Sequence, residues 1–527
     1  MSDVDLLPAL LVVGPILLAT VPVLLGLRYD RTGWSVALGT TLGVFAGACY
    51  LALEVYSADG VNREIAVIHE LGGFSQPMGI ELVADTFSTL IVLLVAGTAL
   101  GVLAYTRVGG PRGNTFYSGY LLLVGGLLGL SMTGDVFNMF VFLEIVGLGT
   151  YALISSGDGP ESAFAALKYL IIGTVGASIY LIGVGFLFMA TGHLNMHALG
   201  GEIPGLEGQN LQLARAGFAF IFVGFAIKVA QWPLHSWQPD AYQHAPDGVT
   251  PLIAALVSTV SAYALGRLMF TVFGGDFIAA TPYAAAVVVT VGAVSVIAGS
   301  TLAVIQTDVK RMLAYSSVSQ FGLIVAAYGL LTETALLGAV IHLIGHGLMK
   351  AGLFLAVGVI ALGYGARTVD AYAGLAQHRP YVAGSMAVLL IALVGIPPSI
   401  GFIGKWYIAV GAIEAQSWLV AGVIFLSTML TLAYVARLLE RMYFTPRSAL
   451  ESPRGTAGTE PGPAAAGGTL TDGGRAMGAT AGRRVTIGML AVVALTAVIA
   501  VVLGFSGDVF TELLAPFIES AELEVSP

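Results

Sequence analysis

Runs of roughly twenty predominantly apolar residues, the length that crosses a hydrocarbon core, follow one another along almost the whole chain. No other feature constrains the fold as much. In lipid every backbone N–H and C=O needs an internal partner, so membrane-spanning segments form helices or closed barrels. Runs of this length read as helices. Spans are predicted near 8–27, 33–53, 86–106, 116–133, 136–155, 163–190, 214–237, 249–273, 282–304, 311–330, 335–363, 383–414, 417–436 and 485–505. The chain therefore reads as an all-α membrane protein with about 14 transmembrane helices.

Composition agrees and excludes several classes of function. Only 10% of the 527 residues are charged, against about a quarter in soluble proteins. The start, MSDVDLLPAL, has no positive region before its apolar run and reads as a first span, not a cleaved signal. The single cysteine, Cys49, supports neither an internal disulfide nor a cysteine-ligated iron–sulfur cluster. No glycine-rich phosphate loop and no zinc-type spacing is present. No cofactor and no metal are expected, so energy must come from an ion gradient or from another protein of the same assembly.

Arginine and lysine stay on the cytoplasmic side of a membrane. Alternate loops carry Arg28 and Arg31, Arg107 and Arg112, Lys310 and Arg311, Arg367 and Arg379, then a run from Arg437 to Arg484. The opposite set is acidic, notably residues 54–85 and the C-terminal tail. This predicts a multi-pass protein of the cell membrane with both termini outside; the acidic 156–162 loop is the exception. Residues 446–484, rich in Gly, Pro, Ala and Ser, read as a disordered cytoplasmic loop.

The ionisable residues inside apolar runs point to chemistry. All five lysines (Lys168, Lys228, Lys310, Lys350 and Lys405) lie within or at the edge of such runs, whereas the loop cations are arginines. Lysine can shed its proton when buried; arginine effectively cannot. Glu144 sits in the middle of VFNMFVFLEIVGLGTYAL, where a charge costs roughly 2.5–3.5 kcal/mol on insertion scales. A satisfied structural ion pair is the plain alternative to a carboxylate that tunes a nearby lysine. Lys228 reads as mid-span, with Pro233 five residues later breaking the helix. Lys405 follows Pro397 and Pro398, so a second interrupted span carries a second lysine. Paired interruptions in two halves of a chain mark transport sites. His342, His346 and Lys350, spaced by four, share one helix face and suggest a wire between the two niches. A metal at HxxxH is the weaker reading, because the segment offers no third ligand. Asp135, Asp240, His244 and Asp308 lie near span ends and read as caps or loop groups.

Segments 135–152, 227–251, 306–322, 341–358 and 395–406 resemble, in order, the signatures of the antiporter-like superfamily shared by Mrp-type sodium/proton antiporters and respiratory complex I. The resemblance implies two inverted five-helix repeats, helices 4–8 and 9–13, with helices 7 and 12 broken. It divides the chain into helices 1–3 with an outside loop (1–113), a first repeat (114–273), a second repeat (282–445), the 446–484 loop, and a last helix with an acidic tail (485–527). By position it implies a proton relay of Glu144, Lys228, His342, His346, Lys350 and Lys405, with Lys168 on helix 6. Two positions depart from the pattern. Thr259 stands where many relatives have a helix 8 lysine, leaving Ser258, Thr259 and water to bridge the gap; Gln320 stands where histidine is frequent. The FNMFVFLE form, without a tryptophan before Glu144, is most similar to the D-type subunit of Mrp antiporters.

These features together suggest a proton-translocating subunit of a multi-subunit cation/proton antiporter, with protons and sodium as candidate ions. The alternatives are a pumping subunit of a complex I or membrane-bound hydrogenase assembly, and a scaffold that assembles without conducting.

Overall fold

The computed structural model describes residues 4–29, 31–57, 67–446, 485–521 and 523. The Gly/Pro-rich segment read as a disordered loop falls, from residue 447, outside the described residues. Almost everything described is helix. Capping is supplied repeatedly by short polar side chains. Asp85, Asp135, Asn195, Asp308, Thr332, Ser399 and Thr486 each accept a backbone N–H at a helix start, relieving donors that helix geometry leaves unpaired.

Among the described residues, 12 helices are long and apolar enough to cross a membrane. Two of the predicted spans are not among them, for different reasons. Predicted span 311–330 is helix Val309–Gly329, which is long enough but carries Lys310, Arg311, three serines and Gln320. It is buried along most of its length, so the lysine, the serines and the glutamine face protein and not lipid, while Arg311 is partly exposed. Predicted span 383–414 is two shorter helices, Pro380–Val394 and Ile400–Glu414, separated at Pro397-Pro398.

The helices that position the polar centre are α1 (Thr86–Gly109), α2 (Val136–Ser155), α3 (Pro160–Thr191), α4 (Gly208–Lys228), α5 (Trp237–His244), α6 (Thr250–Ala280), α7 (Ala284–Ile305), α8 (Val309–Gly329), α9 (Glu333–Tyr364), α10 (Pro380–Val394) and α11 (Ile400–Glu414). Helices α6 and α9 are almost wholly buried and form the axis. Helix α6 contains two π-helical stretches, Ile253–Val257 and Leu268–Phe273, on either side of Ser258–Arg267. Small residues let neighbouring helices approach backbone to backbone, the packing device of membrane interiors. A Cβ on Gly299 of α7 would meet the Ser319 backbone N of α8 at 2.5 Å, and one on Gly224 of α4 would meet the Gly176 carbonyl of α3 at 2.8 Å.

The two halves repeat several local features. Helices α3 and α9 each run for 32 residues and end on a left-handed glycine, Gly192 or Gly365. Asp135 and Asp308 are the N-caps of α2 and α8, the helices that precede α3 and α9, and each joins an isolated antiparallel bridge, to Asn195 and Thr368 respectively.

Two segments read as loop or tail have structure of their own. The described part of the 54–85 loop holds an antiparallel strand pair, Val67–Glu70 with Glu81–Ala84. Buried Glu81 accepts from Asn195 Nδ2 at 2.7 Å, so this hairpin is tied to the residue that caps the short helix Met196–Glu202. The acidic tail forms helix α12, Gly507–Ser520. Its Phe510, Leu514, Phe517 and Ile518 are buried, while Asp508, Glu512 and Glu519 are not. Beside Phe517, Arg267 of α6 donates to Asp85 at 2.6 Å. Burial raises the Asp85 carboxyl, but Arg267 and the Ser88 hydrogen bonds override it and hold the group below its ordinary range.

Gly299→Leu drives a side chain into the α8 backbone and is expected to destabilise the protein by about 1–3 kcal/mol. A clear fall in melting temperature in detergent would show this; an unchanged melting temperature would show that α7 and α8 can separate freely.

Candidate functional site

Lys228 is the last residue of α4, not a mid-helix residue as the sequence suggested. The helix stops there, before Pro233, and the chain runs irregularly until Trp237 opens α5. The loosened end is capped by another side chain: Trp237 Nε1 donates to the Ile227 carbonyl at 2.9 Å. The Lys228 ammonium extends the other way, over Gly173 of α3 and Gly147 of α2, whose added Cβ atoms would lie 3.7 and 3.9 Å from Nζ. It lines a small, partly open cavity together with Glu144, Tyr169 and Thr174. Among the described residues, Glu144 and Lys228 do not form an ion pair within 4.0 Å. Glu144 is half-buried and Lys228 buried.

The second break handles its lysine differently. Helix α10 ends at Val394, followed by left-handed Gly395 and then Pro397-Pro398. The carbonyls that lose helical partners accept from Lys405 itself, Leu393 O at 3.1 Å and Val394 O at 2.9 Å. A positive group at a helix C-terminus is favoured by the carbonyl dipoles as well as by the hydrogen bonds.

Between these two niches runs α9. His342, His346 and Lys350 are all inaccessible to solvent. Lys350 Nζ donates to Leu313 O of α8 at 2.7 Å and to Ser316 Oγ. His342 Nε2 meets Gln320 Oε1 at 2.9 Å. Gln320 thus occupies its position as a hydrogen-bonding partner of His342. The His346 ring lies edge-on to Phe321, and neither of its nitrogens has a hydrogen-bond partner among the described residues. Helix α11 is pressed against this face: a Cβ on Gly404 would fall 2.7 Å from His342 Cα.

The stretch of α6 around Thr259 is lined with neutral polar groups. Gln238 Nε2 donates to Tyr242 Oη and Ser258 Oγ, both at 3.1 Å, and the Tyr242 ring abuts Phe354, over which Lys350 is placed. Thr259 Oγ1 is buried without a partner among the described residues, and its methyl lies beside Gly347 of α9. Buried polar atoms without protein partners are the places where internal water is held.

Lys168 lies apart from these side chains. It forms an ion pair with Asp240 at 2.7 Å, near the protein surface. Asp240, read from sequence as a cap or loop group, also accepts from Arg311 at 2.9 Å and so joins α3, α5 and α8. Asp135 and Asp308 do act as helix caps, and His244 ends α5. Sequence reasoning also passed over Asp247, which pairs with Lys310 and Arg367. The hint was available in the paired motifs QPDAYQHAPD and DVKR, but only tertiary contact joins them.

Residues 133–431 match the family model described as NADH:quinone oxidoreductase/Mrp antiporter, transmembrane. The chain belongs to that family. It is 38% identical to the N subunit of the NADH-quinone oxidoreductase of Desulforudis audaxviator, over 83% of this chain and 86% of that one. It is 32% identical to the D subunit of the Na(+)/H(+) antiporter of Bacillus subtilis, over 70% and 74%. Among solved structures, a chain of the membrane-bound sulfane sulfur reductase, an archaeal respiratory complex, superposes with a TM-score of 0.85 at 26% identity, covering 98% of both. A chain of the Mrp complex from a Dietzia species superposes with a TM-score of 0.82 at 26% identity, covering 99% and 100%. This family member thus has likenesses of comparable quality in both the antiporter and the respiratory assemblies.

Gln320→Leu leaves His342 Nε2 buried without its partner and is expected to cost roughly 1–3 kcal/mol of stability. Thermal unfolding in detergent measures this, and an unaltered transition would mean that the Gln320–His342 bond contributes nothing.

Proposed function

We propose that this family member is a D-like, proton-translocating component of a multi-subunit Mrp-type cation/proton antiporter, moving protons along Glu144, Lys228, Lys350 with His342 and His346, and Lys405. The observation that carries this reading is that three lysines and two histidines lie inside the bundle on α4, α9 and α11, each shielded from lipid. Such groups are costly in a membrane and mark ion paths. Glu144 and Lys228 share one cavity without being locked together, which suits a modulating pair. An ammonium beside a carboxylate holds its proton, and withdrawing the carboxylate lets it go. The Gln238–Tyr242–Ser258 network and the unpartnered Thr259 hydroxyl support passage across the helix 8 gap by hydroxyls and water.

The matching caps, bridges and glycine-ended helices of the two halves support inverted repeats over 114–273 and 282–445. The distribution of arginines supports a cell-membrane orientation with both termini outside. A second reading, a pumping component of a quinone- or hydrogen-linked respiratory complex, is favoured by the 38% identity to an NADH-quinone oxidoreductase chain. The proteins that co-purify with this chain discriminate the two: cation-antiporter components support the first, redox components the second.

Lys228→Ala in the reconstituted complex is expected to reduce coupled proton transport to the level of protein-free liposomes while the complex still assembles. Transport at the wild-type rate in that variant would reject the relay. A silent unmodified complex that gains flux on Thr259→Lys would instead identify a non-conducting scaffold.

A further inference from the structure

Lys310 is a buried lysine that the relay above does not use. It lies in the first turn of α8, and its side chain is 4% exposed. Its ammonium donates to the Ala245 carbonyl at 2.7 Å and to Asp247 Oδ1 at 3.2 Å. Asp247 lies in the short connection between α5 and α6 and bonds outward as well, accepting from Arg367 Nη1 at 3.1 Å and Nη2 at 2.9 Å. Side-chain exposure falls inward along this row, from 51% at Arg367 to 13% at Asp247 and 4% at Lys310. Burial raises the Asp247 carboxyl, but the flanking ammonium and guanidinium more than offset it and hold the group below its ordinary range. Tyr372, whose buried hydroxyl has no partner among the described residues, lies within reach of the Asp247, Asp308 and Arg367 charges.

The inward end of this row meets the relay. Leu313 is three residues beyond Lys310 on α8, about 4.5 Å along the helix axis. Its carbonyl, with the Ser316 hydroxyl, receives the Lys350 ammonium. Lys310 is therefore one helical turn from Leu313 and nearly two turns, about 9 Å, from Ser316, at the edge of the protein where Asp247 reaches towards water.

The choice of residue argues against a simple clamp. The neighbouring Arg311 makes the equivalent surface ion pair, with Asp240. Arginine is the better residue for a fixed pair to carboxylate, and this chain uses seventeen arginines against five lysines. The innermost cation of the row is nevertheless a lysine, the only one of the two able to give up a proton.

We propose that Lys310, with Asp247, forms the gate through which protons pass between water at the Arg367 edge and the Lys350 wire. This inference rests on the proton-translocation reading. In the inward direction, once Lys350 has given its own proton onward and stands as a neutral amine, Lys310 passes one ammonium proton through the Ser316 hydroxyl to it and becomes a neutral amine itself. With the Lys310 charge gone, one of the two cations that hold Asp247 as carboxylate is lost, and Asp247 takes a proton from surface water and delivers it to the Lys310 amine, returning to carboxylate. Arg367 keeps its charge throughout and orients the carboxylate. Protons balance at each step, and no other reactant is needed.

The test compares Lys310→Arg and Asp247→Asn in the full complex, reconstituted into liposomes with a pH-sensitive dye reporting flux and gel filtration reporting assembly. Lys310→Arg keeps the charge and the ion pair but cannot release a proton. Asp247→Asn keeps a hydrogen-bond acceptor but cannot relay one. The expected result is an assembled complex whose flux falls at least tenfold in both, a barrier increase of about 1.4 kcal/mol or more. Flux near wild type in Lys310→Arg would make the row a structural clamp and overturn the gate. Failure of Asp247→Asn to assemble would do the same, because a group needed only for proton transfer tolerates that isosteric change. A fall confined to Asp247→Asn would remove Lys310 from the gate and overturn the proposal as stated. An unmodified complex that moves no protons would instead reject the transport reading on which the gate rests.

Discussion

The structure depends on one constraint: an ammonium group inside a membrane protein must find oxygen atoms where helices offer few. A regular helix engages its carbonyls in its own ladder, so a lysine buried among helices must share such a carbonyl, find a hydroxyl or use a break. This chain solves the problem in three ways. Lys405 takes carbonyls freed by a break in its own span. Lys350, on an unbroken helix, reaches a carbonyl and a hydroxyl of the adjacent α8. Lys228 projects from the last turn of a truncated helix into a cavity shared with Glu144. Because these solutions differ, the three groups differ in how firmly they are held, and Lys228 has the most room to move.

The scaffold around them is correspondingly rigid. Glycines bring α7 against α8, and α3 against α4, closely enough that an added methyl would strike backbone. Near one end of α6, Arg267 binds Asp85 beneath the amphipathic tail helix; at the other, Asp247 binds two cations from the second half of the chain. Asp240 likewise gathers Lys168 and Arg311. The pairs at Asp240, in which both partners are partly exposed, contribute little individually to stability. Their significance is geometric: Asp240 and Asp247 each bind two cations, and each fixes three segments at one point. Between these clamped ends, α6 carries π-helical stretches and neutral polar side chains. π-helical segments occur frequently at functional sites.

Much of this was legible in the order of residues. Each predicted span corresponds to helix, since a run of apolar residues of membrane-crossing length has few other stable forms. The interruptions near Lys228 and Lys405 were visible through Pro233 and Pro397-Pro398, although the first helix ends earlier than proline alone would require. The 54–85 segment illustrates the opposite. Its acidic composition suggested only an exterior loop, yet a short hairpin forms there and delivers Glu81 to Asn195. The tail's acidic residues similarly concealed an apolar stripe of helical spacing.

What the sequence by itself determined is the kind of molecule and its unusual residues: a helical membrane protein with lysine, histidine and glutamate inside apolar runs. Hydropathy and helical periodicity are local properties, so they can be read from neighbours in the chain. Partnership is not local. That Gln320 answers His342, that Lys168 belongs to Asp240, and that Lys310 joins Arg367 through Asp247 depend on helices far apart in sequence being packed side by side. Tertiary structure decided those pairings, because a buried polar group takes whichever complementary atom packing brings within about 3 Å, and the order of residues along the chain does not specify that atom.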